Sequence, residues 1–294
     1  MKRMRRPARP TLRLTSLLLL GIPGRLVGQD AGGMPPMGAQ PVATASRPPV
    51  ESLRTATQIR AYIASVPDGT VPDLSGLDLK GLDLNGLDLR KANLTHADLS
   101  GAHLDQAVLF SCDLTDAVAV GTSFVAANLD VSTLRRTDLR KANFRKASLF
   151  ATIMEMADLR EADLRESRII GFLRKANLVG ANLSGANIGA DPGNQSMGVM
   201  RAQFVNANLT GADLSGANLF KADFSFADLT GANLAHADLR NSDLVQTDFS
   251  RADLTDVDLT LADIGGAIFT GAKGVATLKG LAQARNRDQA KFDP

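Results

Sequence analysis

The stretch 207-ANLTGADLSGANLFKADFSFADLTGANLAHA-237 decides the fold, because it repeats one pattern every five residues. Leu or Phe occupies every fifth position from Leu209 to Leu234, and we denote this position i. Ala precedes it by two positions, and Asp or Asn precedes it by one. The same phase continues to Phe269, and with one slip and one interruption it extends back to Leu74. Most of the chain is therefore one short repeat.

A period of five residues fits neither an α-helix nor a straight strand. In a helix each Leu would lie about 140° further round the axis than the last, so no apolar face could form. In a strand successive Leu residues would point to opposite sides. The pattern instead fits a chain that turns a corner in every repeat, with positions i and i−2 pointing inward. Gly is frequent at i+2, where a corner can require a positive φ angle: Gly76, Gly81, Gly86, Gly211, Gly216 and Gly231.

The copies ANLTG, ADLSG, ANLFK and ADFSF resemble the A(D/N)LXX motif of the pentapeptide-repeat protein family. The resemblance covers residues 72–272, and the many in-phase copies make it specific. It implies an all-β solenoid, namely a right-handed quadrilateral β-helix in which four pentapeptides form one coil and residues about twenty apart stack. Near Gly171 and Phe172 the repeat is one residue shorter than five. Segment 189–198, GADPGNQSMG, contains a turn signal and is predicted to loop out of the wall.

Four segments flank the repeats. Residues 1–28 contain a basic start and an apolar stretch, which predicts a secretory signal peptide and no transmembrane span in the mature form. Residues 29–50 are rich in Pro, Gly and Ala and are predicted to be a disordered linker. The helical spacing of residues 51–71 predicts an N-terminal capping helix and turn, and residues 273–294 predict a C-terminal capping helix and tail. The β-helix would thus have short capping helices at both ends.

Composition and charge argue against several functions. Residues 1–28 contain seven Lys or Arg and no acid, so removing them changes the net charge from +2 to −5. The basic pI is therefore no indication of nucleic-acid binding. No direct nucleic-acid binding is expected, because no outward aromatic residues alternate with the arginines of the basic coils described below. The three His are far apart, and no phosphate loop or Ser/His/Asp arrangement is present. We expect no enzyme activity, no cofactor and no metal, and we expect the single Cys112 to be a small buried residue.

An apolar surface in the middle coils is a first candidate site for a partner. Twenty-residue stacking places several apolar side chains in or beside one outward column, and such exposed patches are typical of contact surfaces. The candidate residues are Val108, Phe110, Val131, Phe150, Ile153, Met156 and Ile170. The alternative is that these side chains pack on one another or lie under a loop.

A basic belt is the second candidate. Residues 131–175 contain eleven Lys or Arg and six acids, between two acidic segments. The belt comprises Arg135, Arg136, Arg140, Lys141, Arg145, Lys146, Arg160, Arg165, Arg174 and Lys175. Stacking predicts that Lys141 meets Glu161 and that Lys146 meets Glu166, so half of the belt would be self-paired. The functional interpretation is an anionic partner such as a polysaccharide, a lipid headgroup or an acidic protein, and the alternative is a solvated charged surface.

Two functions remain open from the sequence. The first is a non-enzymatic exported scaffold, secreted or periplasmic, whose flat faces bind an unknown protein or an anionic envelope component and which could form a homodimer. The second is a cytoplasmic DNA mimic, which the resemblance implies because some pentapeptide-repeat proteins protect DNA gyrase from quinolones. The net charge of −5 and the columns of Asp permit this second function. The basic belt and the signal-like N-terminus oppose it.

Overall fold

The computed structural model describes residues 53–190 and 200–293. All of them belong to one compact unit, Val42–Pro294. The predicted signal peptide and linker, and residues 191–198 of the predicted loop, lie outside the described residues. In the described part of the chain no helix combines the length and the apolar character that a bilayer crossing needs.

Parallel β-bridges between residues twenty apart show that four repeats form one coil. Position i−1 of each repeat pairs with position i−1 of the repeat one coil later, which gives the coil four faces. We number these faces 1 to 4 by their first bridges: Asp73↔Asn93, Asp78↔Asp98, Asp83↔His103 and Asp88↔Val108. Each face is therefore a narrow parallel sheet that extends along the solenoid.

The interior is filled by the residues at i and i−2, as the sequence predicts. Leu214 and Ala212 are each 0% exposed, and the same burial recurs through all the coils. The rings of Phe124 and Phe144 stack with centroids 4.8 Å apart, which is the spacing of neighbouring strands in a sheet. Each buried Leu contributes about 2 kcal/mol of transfer free energy as an upper bound. The small Ala leaves room for the large residue beside it.

The corners have a positive φ angle at i+2 whatever residue is present. Gly211 has a φ angle of 65°, and Lys91 adopts nearly the same value, 62°. The side chain at position i−1 supports this shared corner geometry. For example, the Asp213 carboxylate accepts the backbone N–H of Ser215 at 3.0 Å. A non-Gly residue in this conformation costs roughly 1–2 kcal/mol. Where position i−1 is Asp or Asn, a side-chain hydrogen bond of this kind offsets part of that cost, a role of these residues that the sequence analysis did not assign.

One residue is missing from the fifth coil, as the sequence predicts. The strands β1 (Ser148–Ile153) and β2 (Arg168–Phe172) pair in parallel. Ser148 pairs with Arg168 at an offset of twenty residues, whereas Ile153 pairs with Phe172 at an offset of nineteen. The deletion near Gly171 and Phe172 is therefore confirmed.

Extra residues enter the next coil. The difference in residue number between bridged residues is thirty-one from Phe172↔Gln203 to Asn187↔Asn218. It returns to twenty at Gln203↔Asp223. The insertion therefore lies between Asn187 and Gln203. This interval contains the segment 189–198 that was predicted to leave the wall.

The helix α1 (Ala56–Ser65) packs against the first coil. A capping box starts it, in which the Thr55 hydroxyl accepts the N–H of Gln58 at 3.3 Å and the Gln58 side chain accepts the N–H of Thr55 at 3.0 Å. Ile59 is 0% exposed, and the Tyr62 hydroxyl accepts the backbone N–H of Asp73 at 3.0 Å. The helix thus covers apolar side chains at the N-terminal end of the solenoid.

The predicted C-terminal capping helix is wrong. Residues 273–291 form another coil with sides of six residues, built from the 3₁₀ turns Val275–Thr277, Leu281–Gln283 and Arg287–Gln289. The reason is that the preceding coil offers an open edge, so Lys279 and Arg285 donate their N–H groups to carbonyls of that coil at 2.8 Å. A continuous α-helix would leave this edge unpaired.

We expect Leu214→Asp to unfold the neighbouring coils, because it buries an unpaired charge at a position that is 0% exposed. The loss of unfolding free energy should exceed about 3 kcal/mol, measured by urea denaturation. The matched control is Ser215→Asp on the next, outward-facing position, which should change stability by no more than about 0.5 kcal/mol. Equal stability of the two variants would contradict the inward placement of position i.

Two Gly→Ala variants should separate backbone strain from steric overlap. Gly211 has a φ angle of 65° and open space around a Cβ, so Gly211→Ala should cost about 1 kcal/mol through the backbone alone. A Cβ at Gly171 would lie 2.5 Å from the carbonyl oxygen of Thr152, so Gly171→Ala should cost about 2–3 kcal/mol. Thermal unfolding of both variants measures the two losses of stability, and we expect the loss for Gly171→Ala to be the larger. A reversed order would contradict the tight fifth coil.

Candidate functional site

Exposed apolar residues lie at and beside the corner between faces 4 and 1. Phe110 on face 4 is 39% exposed, and Val131 at the following corner, one coil later, is 45% exposed. Phe150 lies in the same column as Phe110, two coils further along, and is partly buried. Asp130 lies between the two rings, and its carboxylate accepts the backbone N–H of Phe150 at 2.9 Å. The structure therefore forms the column that the sequence predicts.

Two further candidates lie at the margins of this column. Val108 lies two residues before Phe110 on face 4. Ile153 lies on face 1, one coil after Thr133, which is the first face 1 residue to pair after the corner at Val131. Both Val108 and Ile153 are partly buried. We call Val108, Phe110, Val131, Phe150 and Ile153 the apolar patch. Met156 is 50% exposed but lies at the corner between faces 1 and 2, so it is separate from the patch.

Ile170 does not belong to this surface, contrary to the sequence prediction. It continues the column below Phe150 but is only 1% exposed. The missing residue of the fifth coil removes the outward corner here, so Ile169, Ile170 and Gly171 are buried in succession. A Cβ at Gly171 would meet Thr152 at 2.5 Å, which shows how closely this chain segment approaches the previous coil.

The basic belt is distributed around three faces. Face 1 holds Arg135, Arg136, Arg174 and Lys175, face 2 holds Arg140, Lys141 and Arg160, and face 3 holds Arg145, Lys146 and Arg165. The predicted pairs are confirmed, since Lys141 lies 3.6 Å from Glu161 and Lys146 lies 3.7 Å from Glu166. The belt is therefore spread over three of the four faces and does not form a single basic surface.

Most belt residues are paired with carboxylates. Arg140, Arg160 and Arg165 each bind the Asp two residues earlier, at 2.7, 2.6 and 2.6 Å. The hydrogen bond from Arg140 lowers the pKa of Asp138, and that from Arg165 lowers the pKa of Asp163. Three more residues form pairs across coils: Arg135 with Glu155, Arg136 with Asp116 and Arg145 with Glu166. Pairing thus extends beyond the predicted half, and the belt offers little free positive charge.

A groove follows the corner between faces 4 and 1 in the C-terminal half. It has a volume of about 530 Å³ and is lined by Arg201, Lys221, Asn241, Asp243, Leu261 and Arg285. Arg201 binds Asp223 at 3.4 Å and also binds Asp243, and Arg285 reaches Asp243 at 3.4 Å. The sequence analysis missed this network, because its bonded pairs join residues up to 42 positions apart and the number of residues per coil changes before Gln203.

The thiol of Cys112 has no features of a reactive group. Its side chain lies at position i−2, is 2% exposed and donates to the carbonyl of Leu89 at 2.8 Å. Burial raises the pKa of this thiol to about 12, so the nucleophilic thiolate is scarce at neutral pH. Among residues 53–190 and 200–293, no group of three or more His, Cys, Asp or Glu is placed to hold a metal ion.

Several solved structures are similar to this chain. HetL, a pentapeptide repeat protein involved in heterocyst differentiation regulation from the cyanobacterium Nostoc sp. strain PCC 7120, is 27% identical, with 81% of this chain and 94% of HetL covered and a TM-score of 0.31. Full-length QnrB1, a plasmid-mediated fluoroquinolone resistance protein, is 21% identical, with 76% of this chain and 92% of QnrB1 covered and a TM-score of 0.28. Rfr23, a pentapeptide repeat protein from the cyanobacterium Cyanothece 51142, is 25% identical, with 42% of this chain and 91% of Rfr23 covered and a TM-score of 0.25. No curated protein matches the sequence significantly.

The family model for pentapeptide repeats matches the sequence in eight copies. The matched residues are 73–109, 107–145, 127–166, 200–235 and 232–271, together more than half of the chain. They coincide with the coils in which positions i and i−2 are buried and position i−1 forms the parallel bridges. The chain therefore belongs to the pentapeptide repeat family and has a right-handed β-helix-like fold.

Proposed function

We propose that this protein is a non-enzymatic scaffold that binds a protein partner through the apolar patch. The observation that supports the proposal is the adjacency of Phe110 and Val131 on successive coils. Of the other large exposed apolar residues of the described chain, Met156 and Phe226 lie three coils apart at the corner between faces 1 and 2, and Leu261 lies at the corner between faces 4 and 1 but several coils beyond Val131. An aromatic side chain beside other apolar groups is the usual centre of a protein interface.

The β-helix suits this role because its surface is rigid. Phe110 and Val131 are held on a backbone whose neighbouring groups are bonded between coils, for example Ser111 N–H to the Asp130 carbonyl at 2.9 Å and Val131 N–H to the Phe150 carbonyl at 2.7 Å. Little conformational entropy is therefore lost when a partner covers the patch. The small entropy loss and the flat face together favour recognition of one defined partner surface.

We further propose that the protein is exported and acts in the periplasm or outside the cell. The support is the signal-like layout of residues 1–28 followed by the Pro/Gly/Ala-rich segment 29–50. An anionic envelope component is a less favoured partner, because the basic belt is divided among three faces and largely paired. A homodimer remains compatible with the patch.

The alternative is a cytoplasmic DNA mimic that binds DNA gyrase. Its support is the net charge of −5 after residue 28 and the Asp columns of faces 1 to 3. The belt places Lys and Arg beside these columns in the middle of the rod, for example Arg140 beside Asp138, and export would separate the protein from gyrase. Localisation therefore distinguishes the two functions.

The double variant Phe110→Ser/Phe150→Ser should lose its partner while the fold stays intact, since both side chains lie on the outer wall. Partners cross-linked in the native cells would be identified by mass spectrometry, and affinity for the purified partner would fall by about tenfold or more. Phe226→Ser is the matched control, because Phe226 is 51% exposed but lies at the corner between faces 1 and 2. If the double variant and the control retain the same partner with equal affinity, the patch is not the binding site.

Export can be tested by the intact mass of the protein purified from fractionated native cells. We expect a mature chain that starts near residue 29 in the envelope or medium fraction, because the signal peptide would be removed. A full-length chain that begins at Met1 in the cytosol would contradict export. That result would make inhibition of gyrase supercoiling the next assay.

A further inference from the structure

Face 4 differs from the other faces in its charge. Among the described residues, acidic side chains outnumber Lys and Arg on each of faces 1, 2 and 3, whereas Lys and Arg outnumber acids on face 4. The basic residues of face 4 are Arg90, Lys91, Arg168, Lys221, Arg240 and Lys279. Its acids are Asp88, Asp130, Asp238 and Asp258. A mildly acidic rod thus presents one face of opposite sign.

The cations of face 4 lie beside its aromatic rings. The guanidinium of Arg168 lies 4.5 Å from the ring centre of Phe150, and the ammonium of Lys221 lies 5.2 Å from that of Phe220. Arg90 and Lys91 lie one coil before Phe110, and the backbone N–H of Lys91 donates to the Phe110 carbonyl at 2.9 Å. Face 4 therefore combines outward aromatic rings with cations. The sequence analysis looked for outward aromatic residues only among the arginines of the belt, and stacking assigns Phe110, Phe150 and Phe220 to a different face.

These cations flank the apolar patch at both ends. Arg90 and Lys91 precede Phe110 and Arg168 follows Phe150, so the two groups are about four coils, or about 19 Å, apart along the axis. Lys91 forms no ion pair within the described part of the chain. Arg90 pairs with Asp88 at 3.3 Å, but both side chains are more than half exposed, and such a pair contributes little. A carboxylate from a partner can therefore compete for both residues.

We propose that face 4, between Arg90 and Arg168, binds a protein segment that has an apolar centre and acidic residues at its ends. The inference rests on the proposed function, because it uses the same patch, and it adds the chemistry of the partner. An extended segment of about six residues spans the 19 Å between the two basic groups. Its apolar side chains cover Phe110, Val131 and Phe150, and its carboxylates form charge-assisted hydrogen bonds with the cations.

A polypeptide fits this face better than a single-stranded nucleic acid does. Asp88 and Asp130 lie among the cations of the same face and would repel a continuous phosphate backbone. A polypeptide can place acidic residues only at the ends, opposite Arg90, Lys91 and Arg168. Complementary charge of this kind sets specificity and association rate more than affinity.

The test is selection from a random displayed peptide library on the full chain, followed by measurement of the dissociation constants of the enriched peptides by fluorescence anisotropy. We expect an apolar or aromatic centre with Asp or Glu at the ends, and binding that weakens as salt is added. Arg90→Glu/Lys91→Glu should weaken binding by about tenfold or more, because it places like charges opposite the acidic end of the peptide. Arg251→Glu is the matched control for Lys91, because Arg251 has a φ angle of 60° against 62° for Lys91 and lies at a corner after face 2.

Each other outcome overturns a defined part of the proposal. Neutral or basic peptides that still lose affinity with Phe110→Ser would refute the acidic partner and leave the patch as the binding site. Enriched peptides that bind Phe110→Ser normally would overturn both the inference and the proposed function. Failure to enrich any peptide would overturn the inference. A labelled oligothymidylate that binds more tightly than the peptides, and is weakened by Arg90→Glu/Lys91→Glu, would assign face 4 to nucleic acid.

Discussion

The hydrogen bond between the backbone N–H at position i and the carbonyl at position i−1 one coil later is the interaction on which the structure depends. Leu214, for example, donates to Asn233 at 2.7 Å, and the same bond recurs on all four faces. Because this bond sets the distance between coils, the buried rings of Phe204 and Phe224 stack at 4.7 Å. Core packing, corner geometry and the outer columns all follow from this spacing.

The same ladder explains how the solenoid accommodates irregular sequence. The offset between paired residues falls to nineteen at Ile153↔Phe172, rises to thirty-one at Phe172↔Gln203 and reaches twenty-three at Ile268↔Lys291. In each case the backbone pairs are kept and the change is absorbed at a corner, in an insertion or in a 3₁₀ turn. The backbone hydrogen bonds between coils are therefore kept even where the number of residues per coil changes, because an unpaired backbone group in the wall costs free energy.

Stacking also decides which charges are available for binding. Carboxylates lie next to most belt residues, either within one repeat, as with Arg165 and Asp163, or in the next coil, as with Lys141 and Glu161. The net charge of a segment is thus a poor measure of its surface. Face 4 is distinguished instead by cations one coil away from Phe110 and Phe150 and by an exposed Val131, so that apolar and basic groups occur together on this face.

The sequence by itself determined the five-residue period, the inward Leu and Ala positions, the positive φ angle at the Gly corners and the missing residue near Gly171, because these are local properties of each repeat. The number of repeats in a coil came from the family resemblance. Only the tertiary structure decided that Ile170 is buried, that residues 273–291 form a coil instead of a helix, and that the belt divides among three faces. The physical reason is that these features depend on which residues lie one coil apart. That offset is set by hydrogen bonds between coils, and a change of one residue moves every later side chain to a new neighbour.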